Sequence, residues 1–346
     1  MKKQAFILFV AFFALGISNA IAQAVPGTAP RPISCDLTDP MAPVAGRPYT
    51  YQATMAPANG TTYWYATKST TFMNAGTRVA TPINADGTSI ATGATNYMTS
   101  ANNASSPSST TVTWTSAGLS GVTAVNPLFM VMEYAGSCSN NMKVMKIVPK
   151  VAFTVDIANM AHGATPTALG YDAAESQCYA DVASSSWDAA NNNITIDYGV
   201  NTLYFEVVAA NFTGSYSPTF KLTGLSGTQT ADIDWGVTVG SYPNSLATGL
   251  TGASVTTSPT TVNTSVASTA NGVSIYVRVT IHNHGWEGLA NNNISLAVEA
   301  VDSASNSDVD ATCATGAGFE DIAMQTLNAR PTVTGDPATP FLPQKN

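Results

Sequence analysis

The chain has 346 residues, a formal charge of −8 and only 10% charged residues, while 45% are hydrophobic. An average soluble domain is about a quarter charged, so this surface is kept wet by hydroxyls and amides rather than by ions. The shortage of Lys and Arg, 13 against 21 acids, argues against nucleic-acid binding, which needs phosphate contacts, and 12 Phe, 13 Tyr and 5 Trp argue against wholesale disorder.

Residues 1–22 read as a secretory signal peptide: Lys2 and Lys3, an uncharged apolar run over 6–17, then small residues with expected cleavage after Ala22. The run is short for a transmembrane anchor, which needs roughly 20 apolar residues. The reading is therefore an exported protein, at the cell surface or extracellular, with the periplasm as the alternative, and with no lipobox cysteine at the cleavage site. Residues 23–34 form an extended, proline-containing N-terminal segment.

From there period-two patterns dominate. Residues 49–55 alternate apolar and polar, 57–60 supply turn residues, and 62–67 are rich in aromatic β-formers. These predict a β-hairpin with Asn59-Gly60 at positive φ. Residues 110–115 alternate again, and 128–132 form the continuous apolar run of a strand buried on both faces. With 143–148, residues 35–150 read as an immunoglobulin-like sandwich of about seven short strands.

Pro149-Lys150 is a joint before a larger β-sandwich over 151–330. Its strands are expected at 151–157, 194–198, 202–208, 219–225, 231–239, 273–283 and 293–301. A single short helix fits around 173–177. Residues 85–111 and 246–271 are Ser/Thr/Ala/Gly/Asn-rich and read as long surface loops. Residues 331–346 are a proline-rich tail. The fold class is all-β: two tandem β-sandwich domains, the second larger and with long loops.

Four cysteines in an exported chain predict two disulfides. Cys35 and Cys138 bracket the first unit, Cys178 and Cys313 the second, so Cys35–Cys138 and Cys178–Cys313 are the favoured pairs among three connectivities. Asp302, Asn306, Asp308 and Asp310 cluster oxygen ligands in one loop, which makes calcium the candidate cofactor, against a solvated acidic loop. His282, His284 and Glu287 have metal-like spacing, since residues two apart on a strand share a face. Trp187 and Trp286 each precede an Asn-rich turn that leads into a strand, a pattern suited to carbohydrate loops and equally to ordinary turns. Tyr63 and Tyr65 flank Trp64; if Trp64 fills the core, the two tyrosines lie on the other face. No nucleophile elbow or catalytic cysteine motif is present, so a catalytic role is not expected.

The segment 35–46, with Tyr49-Thr-Tyr and Tyr63-Trp-Tyr-Ala-Thr, resembles exported Ig-like or PKD-like surface proteins of Bacteroidota. The resemblance covers the first domain and the strand region 204–211, and departs in lacking a recognisable type IX C-terminal sorting domain. It implies β-sandwich domains serving adhesion, envelope structure or assembly. The expected function is a non-enzymatic exported structural protein, a subunit of an extracellular filament, sheath or surface layer. Its expected partner is a second copy of itself, through loops or extended ends. The alternative is a carbohydrate-binding or adhesive module that recognises surface glycans.

Overall fold

The computed structural model describes residues 31, 36–56, 59–90, 98–101, 106–263, 272–309 and 318–334. Among them the protein is nearly all β. The strands are β1 Pro48–Ala53, β2 Thr61–Thr67, β3 Met73–Asn74, β4 Thr77–Arg78, β5 Thr99–Ala101, β6 Ser108–Thr113, β7 Leu128–Ala135 and β8 Asn140–Ile147. They continue with β9 Thr154–Ala161, β10 Thr167–Ala168, β11 Glu175–Cys178, β12 Ser184–Asp188, β13 Asn193–Asp197, β14 Val200–Ala210 and β15 Ser215–Thr223. The last are β16 Thr230–Gly236, β17 Asn244–Leu250, β18 Ser254–Thr256, β19 Val262–Asn263, β20 Val273–His282, β21 Asn292–Asp302 and β22 Asp321–Asn328. One helical turn, α1 Ser116–Leu119, is capped by the Thr115 side chain, which accepts from Gly118 N.

The main buried apolar groups separate along the chain, one running from Leu37 to Ala152 and the other from Phe153 to Leu327. In the first unit a four-stranded sheet, β5-β2-β7-β8, faces the pair β1-β6. Trp64 and Trp114 fill the space between them, 1% and 0% exposed. Their ring nitrogens donate to Ser108 Oγ and to Tyr51 OH, each at 2.9 Å. These indoles therefore bury their full apolar area without leaving an N–H unpaired.

The expected hairpin is not formed. Residues 49–53 pair with β6 and residues 61–67 with β5 and β7, so the chain crosses from one sheet to the other at this turn. Tyr49, Tyr51 and Trp64 thereby enter one core from opposite sides. Gly60 is also used differently: its φ is not in the left-handed region, and a Cβ there would lie 2.3 Å from Ala135 O. The residue is needed for close approach, not for a turn conformation.

The second unit packs two six-stranded sheets. One has the order β10-β9-β14-β20-β16-β17; the other runs β11-β22-β21-β15-β18, with β19 also pairing β15. Pairing is antiparallel except between β11 and β22. Leu203, Phe205, Ile275 and Val277 from the first sheet meet Phe220, Leu222, Leu296 and Val298 from the second. The helix expected at 173–177 is absent: Glu175–Cys178 is strand β11, because the free edge of β22 offers it a ladder. The stretches read as loops contain β5, the start of β6, β17, β18 and β19; 91–97, 102–105 and 264–271 lie outside the described residues.

Polar contacts fix the joint between the units. Ser116 N donates to Thr213 Oγ1 at 2.7 Å, Thr213 N donates back to Ser116 Oγ at 3.2 Å, and both bonds are buried. Arg47 Nε donates to Asn211 Oδ1 at 2.9 Å. Arg31, in the segment that precedes the first unit, lies on the second unit, where its guanidinium reaches Asp321 at 3.0 Å and Asp172 at 3.1 Å.

Candidate functional site

The outward face of the four-stranded sheet carries a cleft with convergent polar and aromatic groups. Strands alternate their side chains, so with Trp64 in the core Tyr63 and Tyr65 point the other way, as the pattern requires. Their fates differ. Tyr65 is fully buried under the segment 68–83, in a small cluster with Ala80 and Val131, beside Phe72 and Phe129. Tyr63 is half-buried and lines an open cleft.

Glu133 lies directly across the ladder from Tyr63, on β7. Its side chain is only 10% exposed, and Oε1 accepts from Tyr65 OH at 2.7 Å. Arg78, at the end of the β3–β4 turn, brings Nε to 3.9 Å from that oxygen and its guanidinium to 5.0 Å from the Tyr65 ring centroid. The roof that holds Arg78 is anchored at both ends: Ile83 N donates to Ala66 O at 2.9 Å, and Thr67 Oγ1 donates to Thr81 O at 2.7 Å. A cleft of about 580 Å³ results, bounded by Tyr63, Arg78, Ile90, Glu133, Tyr134 and Asn140. It offers donors, a carboxylate and an aromatic face in one preformed space.

Sequence reasoning reached the tyrosines here and missed Arg78 and Glu133. Glu133 did carry a signal: a carboxylate that directly follows an apolar run in a central strand must find a partner. Arg78 carries none, since only the folded turn brings it over β2.

The other candidate residues lie away from this cleft. Asp302 Oδ1 accepts from Ala304 N and Asn306 N, at 2.8 and 2.9 Å, and Oδ2 from Asn306 Nδ2 at 2.9 Å. Asp308 is buried; its Oδ1 accepts from Ala300 N at 3.0 Å, and burial pushes its carboxyl up to about 6. Asp302 and Asn306 thus hold each other within one loop, with Asp308 on the adjoining bridge; Asp310, the fourth expected calcium ligand, lies outside the described residues. In the same loop Ser303 Oγ donates to Thr213 O at 3.3 Å, next to the Thr213 contact with Ser116.

Among the described residues no three His, Cys, Asp or Glu side chains form a metal-ligand group. The His282 and His284 rings stack at 5.9 Å instead of converging. Their Nε2 atoms are engaged by Asp232 Oδ2 at 3.0 Å and Thr230 Oγ1 at 3.1 Å.

The two tryptophans do not form equivalent loops. Trp187 sits on the β12–β13 hairpin, opposite Ile194, and is 49% exposed. Trp286 packs on the second core; its ring nitrogen donates to Tyr179 OH at 3.3 Å. A Cβ on Gly227 would lie 2.3 Å from that ring. Of the four cysteines expected to pair, Cys138, in the β7–β8 turn, and Cys178, ending β11, are described and are free and exposed. Their expected partners, Cys35 and Cys313, lie outside the described residues.

No helix among the described residues is long and apolar enough to cross a membrane. No protein-family model matches the chain, and no curated protein matches it. Among solved structures it is similar to the N-terminal domain of PorA, at 10% identity and a TM-score of 0.24, over 50% of this chain and 96% of that one.

Proposed function

We propose that this protein is a non-enzymatic structural component of the cell exterior, one that packs against copies of itself in a filament, sheath or surface layer. The observation that carries this reading is the joint. Two sandwiches of a flexible tether would be separated by a solvated linker. Here the units share reciprocal buried hydrogen bonds between Ser116 and Thr213 and a third between Arg47 and Asn211. A fixed angle between two rigid bodies is what a repeating assembly needs, because each subunit must present its contact surfaces in one geometry. The low charge agrees with close packing between neighbours, since there are few ions to desolvate.

The test is negative-stain microscopy with immunolabelling of envelope fractions and of the purified chain from residue 23 onward, together with sedimentation velocity. The expected result is labelled filaments or lattices and concentration-dependent assembly. A protein that stays monomeric across protein and salt concentrations, with dispersed label on the envelope, would overturn the reading.

A further inference from the structure

The cleft over β2 and β7 asks for a ligand of particular chemistry. Its charged groups cancel locally: Arg78 Nε and Glu133 Oε1 stand 3.9 Å apart, and both side chains are largely buried, 16% and 10% exposed. An anion entering beside this pair meets the carboxylate, and a cation meets the guanidinium. A neighbouring pair of hydroxyls uses both, donating to Glu133 and accepting from Arg78. Tyr63, half-buried at the mouth, adds an aromatic face on which the C–H face of a ring can rest. Asn140 adds a side-chain amide at the exposed start of β8.

The volume, about 580 Å³, falls in the range of sites that hold small organic ligands. The site is also preformed, because the roof is tied down through Ile83 and Thr81 and by the apolar cluster around Tyr65. The chain's acidic balance further disfavours polyanions.

We infer that this cleft is a binding site for a neutral saccharide, with Tyr63 as stacking platform, Arg78 and Glu133 as the paired hydroxyl-binding groups and Asn140 at its rim. This goes beyond the structural role: the protein would hold a neutral glycan as well as pack with its own copies, and either property can fail without the other.

The experiment is isothermal titration calorimetry of the chain from residue 23 onward with cellohexaose, laminarihexaose, maltohexaose and chitohexaose. Hexagalacturonate serves as the anionic comparison. The expected result is one-to-one binding of at least one neutral hexasaccharide and weaker binding of hexagalacturonate. Tyr63→Ala should weaken the neutral ligand roughly tenfold and Glu133→Gln about fivefold; the glutamine keeps an acceptor for Tyr65 OH, so the roof should stay in place. Asn140→Ala, at an exposed strand start, gives a variant whose folding is not in question and should weaken binding about twofold to threefold. Trp187→Ala should leave the affinity unchanged. Binding of no neutral hexasaccharide, binding indifferent to Tyr63, Glu133 and Asn140, loss only in Trp187→Ala, or tighter binding of hexagalacturonate would each overturn the assignment.

Discussion

At the scale of single residues, the most constrained chemistry lies where the second sandwich is open at its side. Asp156 on β9 and Asp321 on β22 come from different sheets, each at a point where its strand is the last of its sheet. One arginine spans them. Arg31 N donates to Asp156 Oδ2 at 2.9 Å, its guanidinium donates to Asp321 Oδ1 at 3.0 Å, and it lies 4.8 Å from the Tyr171 ring centroid. Burial raises both carboxyls, Asp321 to about 7, with Asp156 adding to the rise and Arg31 opposing it.

A carboxyl whose folded value is raised holds more protons in the native state than in the unfolded chain. Its contribution is therefore largest at acid pH and is lost as pH rises from about 4 through about 7. Asp321→Asn removes that dependence. Melting curves of the wild type and this variant at pH 5, 6, 7 and 8 should show the asparagine protein gaining on the wild type toward alkaline pH. The change should be on the order of 2 kcal/mol; parallel curves would refute the argument. Arg31→Gln should destabilise the protein most at pH 8, where both carboxylates are left facing each other without the guanidinium.

At the scale of elements, strand order departs from local pattern in ways that identify which residues are irreplaceable. Gly60 lets β2 start against the end of β7, where Ala135 O and the Tyr134 ring leave no room for a side chain. Gly60→Ala should cost about 2–3 kcal/mol, read as a lower denaturation midpoint. A variant as stable as wild type would show that this corner yields. Strand β22 teaches a related point. Its buried face is Ala323, Gln325 and Leu327, whereas Ile322 and Met324 are 51% and 48% exposed. Gln325 is accepted inside because its Nε2 donates to Tyr204 O at 2.8 Å. Hydrophobicity alone would have placed this strand with the wrong face inward.

At the scale of the whole molecule, the joint decides whether the two units behave as one body. Ser116→Ala strands the buried Thr213 N–H, and Thr213→Ala strands Ser116 N, each at about 1–3 kcal/mol. Because the two bonds share one pair of residues, the double variant should cost less than the sum of the singles. Chemical denaturation of the four proteins measures this. Strict additivity, or no change in any of them, would mean that the reciprocal pair does not couple the units. The same variants should impair self-assembly if a fixed angle is what the assembly uses.

The sequence by itself determined the all-β class, the central strands β7 and β20, and the inward Trp64 with outward Tyr63 and Tyr65. Each follows from alternation, from a continuous apolar run or from a long β-branched run, which are local properties of the chain. Only the tertiary structure decided that residues 49–53 and 61–67 pair in different sheets, and that Asp302 serves its own loop. It alone brought Arg78 over the partner of Tyr63, and Arg31 to carboxylates 125 and 290 positions away. A turn signal looks the same in a hairpin and in a sheet-to-sheet corner. The partner of a charge is set by which strands the core draws together, and that choice belongs to packing between distant segments, where no local pattern reaches.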